Sequence, residues 1–290
     1  MGSCVDEKDV LAEARALCRD NLVKQTMLDN KLATSFGLRV CFSVEIPLIA
    51  RRAGYSAVLM NLEHTPMGID AVRDISVSCL NVGITPMVVV PTGEAQWISR
   101  CLDAGAQAII VPHVNTVEEA QTCVNAAKYP PLGRRSLTMV QPMMQYASHI
   151  LYQIVSDVVN DAVQILPMIE TTEGLANVEA IAAVPGVDAL LIGCADLSVE
   201  LGIGGNYDAS EFHEALGKIA SAAQKASVDG RRVFVGLGGM EMRPDLIQYF
   251  AKRYSNIRYV RFTMAGRDVS MLAAGMSRQV ASMKEISATL

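Results

Sequence analysis

The stretch QILPMIETTEGLANVEAIAAVPGVDALLIGCAD, residues 164–196, decides the fold. Each end is an apolar run of strand length closed by an acid: Gln164 to Ile169 leads into Glu170, and Ala189 to Gly193 leads towards Asp196. Apolar character without alternation means burial on both faces, as in a parallel strand. The intervening segment, Gly174 to Val184, has the length of a helix. The stretch therefore reads as a βαβ unit with a carboxylate at the C-terminal end of each of two neighbouring strands. Two carboxylates converging there would bind a hard divalent cation, Mg²⁺ or Mn²⁺, through oxygen. The alternative is that both acids cap the helices that follow.

Outward from this unit the alternation continues. Gly37 to Glu45, Ala57 to Met60, Pro86 to Val90, Ala108 to Val111, Arg232 to Gly236 and Tyr259 to Phe262 read as further strands. Helices are predicted from Pro47 to Gly54, Gly68 to Asn81, Glu94 to Ala104, Thr116 to Ala127, Ser210 to Asp229 and Asp268 to Leu290. Thr116 and Glu119 have the spacing of a capping box. Eight strands separated by helices is the count of an α/β TIM (β/α)8 barrel. A doubly wound sheet is disfavoured, because no Gly-x-Gly-x-x-Gly follows the first strand. Residues 7–30 read as helical, so 1–34 forms an N-terminal helical extension and 35–290 a single barrel domain. Residues 128–157 are broken by Tyr129-Pro130-Pro131-Leu132-Gly133-Arg134-Arg135 and read as an irregular lid or oligomer contact.

Composition narrows the function. The chain has 290 residues, 51% hydrophobic, 19% charged and 5% aromatic, with net charge −5. It lacks the basic runs and stacking rings that nucleic-acid binding needs, so no nucleic-acid partner is expected. Seven cysteines are scattered without Cys-x-x-Cys or a Cys/His metal spacing, which suits reduced, mostly buried thiols in a cytoplasmic protein. Charges run through the first 25 residues, unlike a signal peptide, and no apolar stretch reaches membrane-spanning length, so no membrane partner is expected. Met1-Gly2-Ser3-Cys4 lacks the Ser or Thr that acylation wants at position six, where Asp6 stands.

In a TIM barrel the chemistry sits at the C-terminal strand ends. Those ends read Asn61-Leu62-Glu63-His64, Val90-Pro91, Pro112-His113, Glu170 and Asp196, so acids and histidines gather on one face. His64 is the best general base, because only imidazole titrates near neutral pH unaided. His113, at another strand end, is its competitor; His149 and His213 fall on an irregular segment and a surface helix. No Gly-x-Ser-x-Gly elbow is present, and no Lys occupies a strand end to form a Schiff base.

Gly54-Tyr55 to Glu63-His64, Leu102-Asp103-Ala104-Gly105, Val111-Pro112, the Tyr129 to Arg135 segment, Ile169-Glu170-Thr171 and Gly193-Cys194-Ala195-Asp196-Leu197-Ser198 together resemble the HpcH/HpaI aldolase family in order and spacing. That family includes 4-hydroxy-2-oxoheptanedioate and 2-dehydro-3-deoxyglucarate aldolases and macrophomate synthase, a fungal secondary-metabolism enzyme. The resemblance spans roughly residues 35–285. It implies a metal-dependent lyase in which Glu170 and Asp196 hold Mg²⁺, Mn²⁺ or Co²⁺ and the metal chelates a small 2-oxo acid, pyruvate or oxaloacetate. By the same resemblance His64 is the base, Asp103 orients its ring, and Glu63 positions water. The backbone from Gly193 through Cys194 to Ala195 faces the substrate carboxylate. The assembly it implies is a homo-oligomer, a hexamer built as a trimer of dimers that swap their last helix.

The pattern is not complete. Asn61 stands where the family has Asp, Val90 where it has Arg, Met168 where it has Gln, and Cys194 where Pro is common. The first three changes remove charge or hydrogen-bonding capacity from positions expected to line the substrate. A lost Arg removes two charge-assisted hydrogen bonds of roughly 1.5–3 kcal/mol each, or about 100-fold in rate. Either another cation replaces it, with Arg134, Arg135 and Arg261 as candidates, or the substrate is a bulkier, less charged oxo compound. Two other readings remain: a cyclase folding an apolar polyene or quinone-like substrate in the same pocket, and a non-catalytic member.

Overall fold

The computed structural model describes residues 7–228, 230–254 and 260–290. The Met1–Cys4 start, the expected helix end Asp229 and the expected strand start Tyr259 lie outside them. Strands β1 (Ala33–Leu38), β2 (Ala57–Asn61), β3 (Thr85–Val89), β4 (Ala108–Val111), β5 (Gln164–Ile169), β6 (Ala189–Gly193), β7 (Phe234–Gly238) and β8 (Val260–Arg267) pair in sequence order. Every pairing is parallel, and β8 returns to β1 to close the barrel. Around it run α1 (Glu7–Leu17), α2 (Leu22–Leu28), α3 (Ile46–Ala53), α4 (Ile69–Val82), α5 (Ala95–Asp103) and α6 (Val117–Ala127). They are followed by α7 (Tyr152–Ala162), α8 (Thr172–Ala183), α9 (Cys194–Glu200), α10 (Ser210–Ala226), α11 (Pro244–Arg253) and α12 (Asp268–Ser287). The TIM barrel expected from the sequence is the fold observed.

The two-residue period of the strands sorts side chains into two packed layers. Leu59, Met87, Val89, Ile110, Leu166, Met168, Leu191, Phe234 and Phe262 fill the barrel interior. Their neighbours Met60, Val88, Val90, Ile109, Val111 and Ile165 face outward and pack under the helices with Val72, Ile75, Ile98 and Val124. Thr116 and Glu119 form the expected capping box at the start of α6.

The N-terminal segment is stitched to the base of the barrel. Val23 and Met27 of α2 join the interior cluster. Asn21 caps α2 and donates to the carbonyls of Gln107 and Ala162, while Thr85 Oγ1 accepts from Val23 N–H at 3.0 Å. The expected single helix over 7–30 is broken between Leu17 and Leu22, where Asn21 offers its side chain to Lys24 N–H.

Four further expectations are corrected. The first strand is Ala33–Leu38 rather than Gly37–Glu45. Val40, Phe42 and Val44 alternate like a strand, but the N–H groups of Arg39, Val40 and Cys41 bond the Asp268 carboxylate instead of a neighbouring strand. The irregular segment contains α7, whose Ile154, Val155, Val158 and Val159 bury one face. α9 and α11 complete the alternation where no helix was expected. β8 runs five residues beyond Phe262, to Arg267. Among the described residues no helix is long and apolar enough to cross a membrane. α12 buries only Asp268; Leu272, Met276, Met283 and Ile286 are all exposed.

Candidate active site

Glu170 is the next inward position after Leu166 and Met168 on β5, which places its carboxyl inside the rim of the barrel. The residue is only 3% exposed. It does not cap α8, because Thr171 does so by accepting from Gly174 N–H at 2.9 Å. Its Oε1 instead accepts from the backbone N–H of His113 at 2.7 Å. His113 adopts φ 53°, a left-handed conformation costly for a residue with a Cβ, and so aims its N–H at the acid. Burial raises the Glu170 pKa; the His113 N–H and ring counteract this, and the charges of Asp196 and Glu63 add to it.

Acids and imidazoles form a string across the mouth. His113 Nδ1 lies 3.2 Å from Glu170 Oε1, and its Nε2 lies 3.6 Å from Glu63 Oε1. Glu63 Oε2 is 3.4 Å from His64 Nε2. Asn61, at the inward end of β2, accepts from His64 N–H through Oδ1 at 2.8 Å and so shapes the turn that presents the imidazole. The His64 side chain is 56% exposed and faces open solvent.

Gly193 closes β6 directly against Glu170. A Cβ there would collide with Glu170 Oε2, would lie 2.7 Å from Glu170 Cβ, and would crowd the Met168 sulfur at 3.1 Å. Asp196 is exposed in the first turn of α9, close enough to act electrostatically on Glu170. Among the described residues no three His, Cys, Asp or Glu side chains gather tightly enough to enclose a metal ion. A buried carboxyl with two acid neighbours and an open side nonetheless fits a hard cation held by one or two carboxylates and otherwise coordinated by water and substrate.

Other expected site residues lie elsewhere. Asp103 ends α5 just before β4, at the base of the barrel, and its Oδ1 takes Arg135 Nη2 at 2.6 Å. Within the chain it therefore does not orient His64. Val90 is fully buried in the outward layer under the helices. Cys194 is fully buried too; its thiol bonds the Ile192 carbonyl, and burial pushes its pKa up to about 12. Met168 points into the barrel beneath Glu170, and Ala195 is exposed beside Asp196.

The replacement arginines also fail to reach the mouth. Arg135 is buried at the base against Asp103, with its guanidinium over the Tyr129 ring. Arg134 is exposed in the loop after α6, and Arg261 points outward from β8. Two arginines not singled out from the sequence do stand at the mouth. Arg39 follows β1 and donates to the His64 carbonyl at 3.3 Å; Arg267 ends β8, with Nε 3.0 Å from Glu241 Oε1. The misplaced first strand had put Arg39 inside a strand, and the shortened eighth strand had left Arg267 beyond its end. Reading the β8–α12 junction as a strand end would have revealed both.

Comparison with known proteins gives the family and the fold. The sequence profile described as HpcH/HpaI aldolase/citrate lyase matches residues 44–235. The chain is 32% identical over 257 residues to the 4-hydroxy-4-methyl-2-oxoglutarate aldolase tasA of Hapsidospora irregularis, covering 88% of this chain and 92% of that protein. Among solved structures, the HpcH/HpaI aldolase from Desulfitobacterium hafniense superposes with a TM-score of 0.78 at 24% identity, over 90% of this chain and 96% of that one. Macrophomate synthase superposes with a TM-score of 0.69 at 25% identity, over 94% and 90%.

Proposed function

The chain belongs to the HpcH/HpaI aldolase/citrate lyase family, and from that premise we propose that it is a divalent-metal-dependent carbon–carbon lyase acting on a 2-oxo acid. One observation carries the reading: Glu170 is buried at the barrel rim, tied to His113, with Asp196, Glu63 and His64 gathered around it. A buried acid among acids destabilises the fold unless hydrogen bonds or a cation offset its charge, and a bound divalent cation would do so.

Glu170 and Asp196 would hold Mg²⁺, Mn²⁺ or Co²⁺. When bound, such an ion supplies positive charge beside the keto oxygen, where negative charge develops as the carbon–carbon bond breaks. In the cleavage direction His64 takes the proton from the hydroxyl on the carbon that becomes the new carbonyl. The bond between that carbon and its neighbour then breaks, and its electron pair moves into the oxo-acid fragment. A proton returned from His64 or solvent to that neighbouring carbon, the one next to the keto group, completes the 2-oxo acid product. Glu63, at 3.4 Å, is the acid placed to hold the His64 ring, since Asp103 is engaged by Arg135. Gly193 gives the Glu170 carboxyl its seat, Ala195 is exposed on the side open to the substrate carboxylate, and Met168 gives the floor an apolar surface.

The reading extends to assembly. The exposed apolar face of α12, together with Val40, Val44, Leu48 and Ile49 nearby in sequence to β1 and α3, suits a homo-oligomer in which the last helix of one copy covers another. Buried, unpaired thiols suit a cytoplasmic setting.

The test is release of pyruvate from 4-hydroxy-4-methyl-2-oxoglutarate with Mg²⁺, Mn²⁺ or Co²⁺ supplied in turn. Turnover should vanish in chelator and in Glu170→Ala. No release with any of the three ions, or an unimpaired Glu170→Ala, rejects the proposal.

A further inference from the structure

We propose that Arg39 and Arg267 form an anion subsite over the barrel mouth that takes the far carboxylate of a dicarboxylic 2-oxo acid. The inference rests on the lyase reading and adds to it the residues that select the far end of the substrate.

The two arginines are placed together by the strand register. β1 and β8 are neighbours, and Gly37 lies opposite Arg267. Gly37 belongs to the inward row of β1 that begins at Ala33. Arg267 Cγ sits 3.5 Å from where a Gly37 Cβ would be, so the arginine stem lies over the inward row of β1. Asp268 fixes the other partner. Its carboxylate accepts from the N–H groups of Arg39, Val40, Cys41 and Val269 at 2.6–3.0 Å. One acid thus locks the backbone beside both guanidiniums.

Among the described residues neither guanidinium is fully hydrogen-bonded. Arg39 makes one side-chain hydrogen bond among the described residues, to the His64 carbonyl at 3.3 Å. Arg267 Nε is 3.0 Å from Glu241 Oε1 but at an angle that forms no hydrogen bond, and Glu241 Oε2 is buried without a partner. The Arg267 side chain remains 29% exposed. Burial first and the charge of Arg267 second lower the Arg39 pKa, while Asp268, Glu241 and Glu63 oppose this. Two cations held side by side with open donor edges are arranged for an anion, and a planar fork matches a carboxylate.

Position selects which end of the substrate is bound. Glu170 and Asp196 follow β5 and β6, whereas Arg39 and Arg267 follow β1 and β8, across the barrel. The keto acid end belongs with the acids and their cation. A second carboxylate, on the other side of the bond that breaks, then falls towards the arginines and past His64, whose carbonyl Arg39 touches. Glu63, Glu170, Asp196 and Glu241 crowd this mouth with negative charge, which the two guanidiniums offset for an anionic substrate.

Binding calorimetry in the presence of Mg²⁺ tests the subsite with 2-oxoglutarate and 2-oxobutyrate, which differ by the far carboxylate. The wild-type protein should bind 2-oxoglutarate about tenfold more tightly, the worth of a charge-assisted pair. Arg39→Gln and Arg267→Gln should each erase most of that preference without changing 2-oxobutyrate binding, and Arg267→Lys should keep part of it. No preference in the wild type, or a preference that survives the double Gln variant, overturns the proposal. If the double variant does not fold, Arg39→Gln alone decides, since only one side-chain hydrogen bond is lost. A preserved preference in a protein without lyase turnover would sink the lyase reading and leave the subsite standing.

Discussion

The backbone N–H of His113 and the carboxylate of Glu170 are joined by a 2.7 Å hydrogen bond, so the residue after β4 holds the acid after β5 in place before any ligand arrives. The bond uses the main chain, and the strained φ of 53° is what aims it. His113→Gly should keep the bond, relieve up to about 1 kcal/mol of strain and leave turnover within roughly tenfold. His113→Pro removes the N–H and forbids the conformation, and should cost at least about 100-fold in turnover. Steady-state kinetics of the two variants, with melting curves, separate the backbone's role from that of the ring. Equal losses in both would show that the imidazole, not the N–H, matters.

Gly193 is the second support of Glu170. A methyl group at this position overlaps Glu170 Oε2 and leaves its Cβ only 2.7 Å away. Gly193→Ala should therefore push the carboxylate out of its seat, with turnover falling about 100-fold and affinity for Mn²⁺ falling with it. The cost in stability should be about 1–3 kcal/mol, as for other overpacked positions. Manganese titration followed by electron paramagnetic resonance reads the second effect without relying on activity. A variant that binds Mn²⁺ normally would place the metal away from Glu170.

Seven of the eight strands were legible because parallel strands buried on both faces leave unbroken apolar runs, as from Gln164 to Ile169; β1, Ala33–Leu38, has no such run and was misplaced. The place of Glu170, Glu63 and His64 at the barrel mouth was legible because they stand just past the ends of such runs. Asp103 and Val90 were misplaced for one reason: adjacency to an active-site motif does not say which face of a strand, or which end of a barrel, a side chain meets. Val90 falls on the outward parity of β3, and Asp103 at the end of a helix that returns to the base. Arg39 was hidden by alternation. Val40, Phe42 and Val44 mimic a strand, and nothing local reveals that Asp268, more than 220 residues away, takes the N–H groups of Arg39, Val40 and Cys41.

Val90 invites a substitution that should fail. If the missing family arginine were simply absent from the pocket, Val90→Arg would restore it. In this fold the side chain would enter the fully buried layer beneath the helices, where Val88, Ile98 and Val111 pack. An unpaired guanidinium there costs several kcal/mol. Val90→Arg should lower the melting temperature by about 10 °C or more, or yield insoluble protein, and should not tighten pyruvate binding. Tighter pyruvate binding in a stable variant would show that position 90 reaches the mouth.

Asp268 gives the fold an acid-sensitive joint. Burial on its own would raise the pKa, but hydrogen bonds from Val40, Cys41, Arg39 and Val269 outweigh it and hold the carboxyl below its ordinary value. A group whose folded pKa is depressed stabilises fully above its unfolded pKa of about 3.9, and that stability is lost as pH falls through the folded value. Asp268→Asn should cost about 1–3 kcal/mol at pH 7. The gap between variant and wild type in urea denaturation should be constant from pH 7 to about 5 and shrink below pH 4. A gap that widens towards acid would mean that the native pKa is raised.

The last helix should report on assembly. α12 carries Leu272, Met276, Met283 and Ile286, each 41–65% exposed, and only Asp268 of the helix is buried. An isolated 20-residue helix with so little packing gains almost nothing from burial and is marginal in water. A second copy covering this face would supply the missing contacts, at about 25 cal/mol for each Å² removed from water. Leu272→Glu combined with Met276→Glu places two charges on that face and should shift the protein to a smaller species by light scattering coupled to size exclusion. The barrel itself should survive, because neither side chain is buried in the chain's own core. A protein whose mass is the same with and without the two glutamates would show that α12 contributes nothing to the assembly.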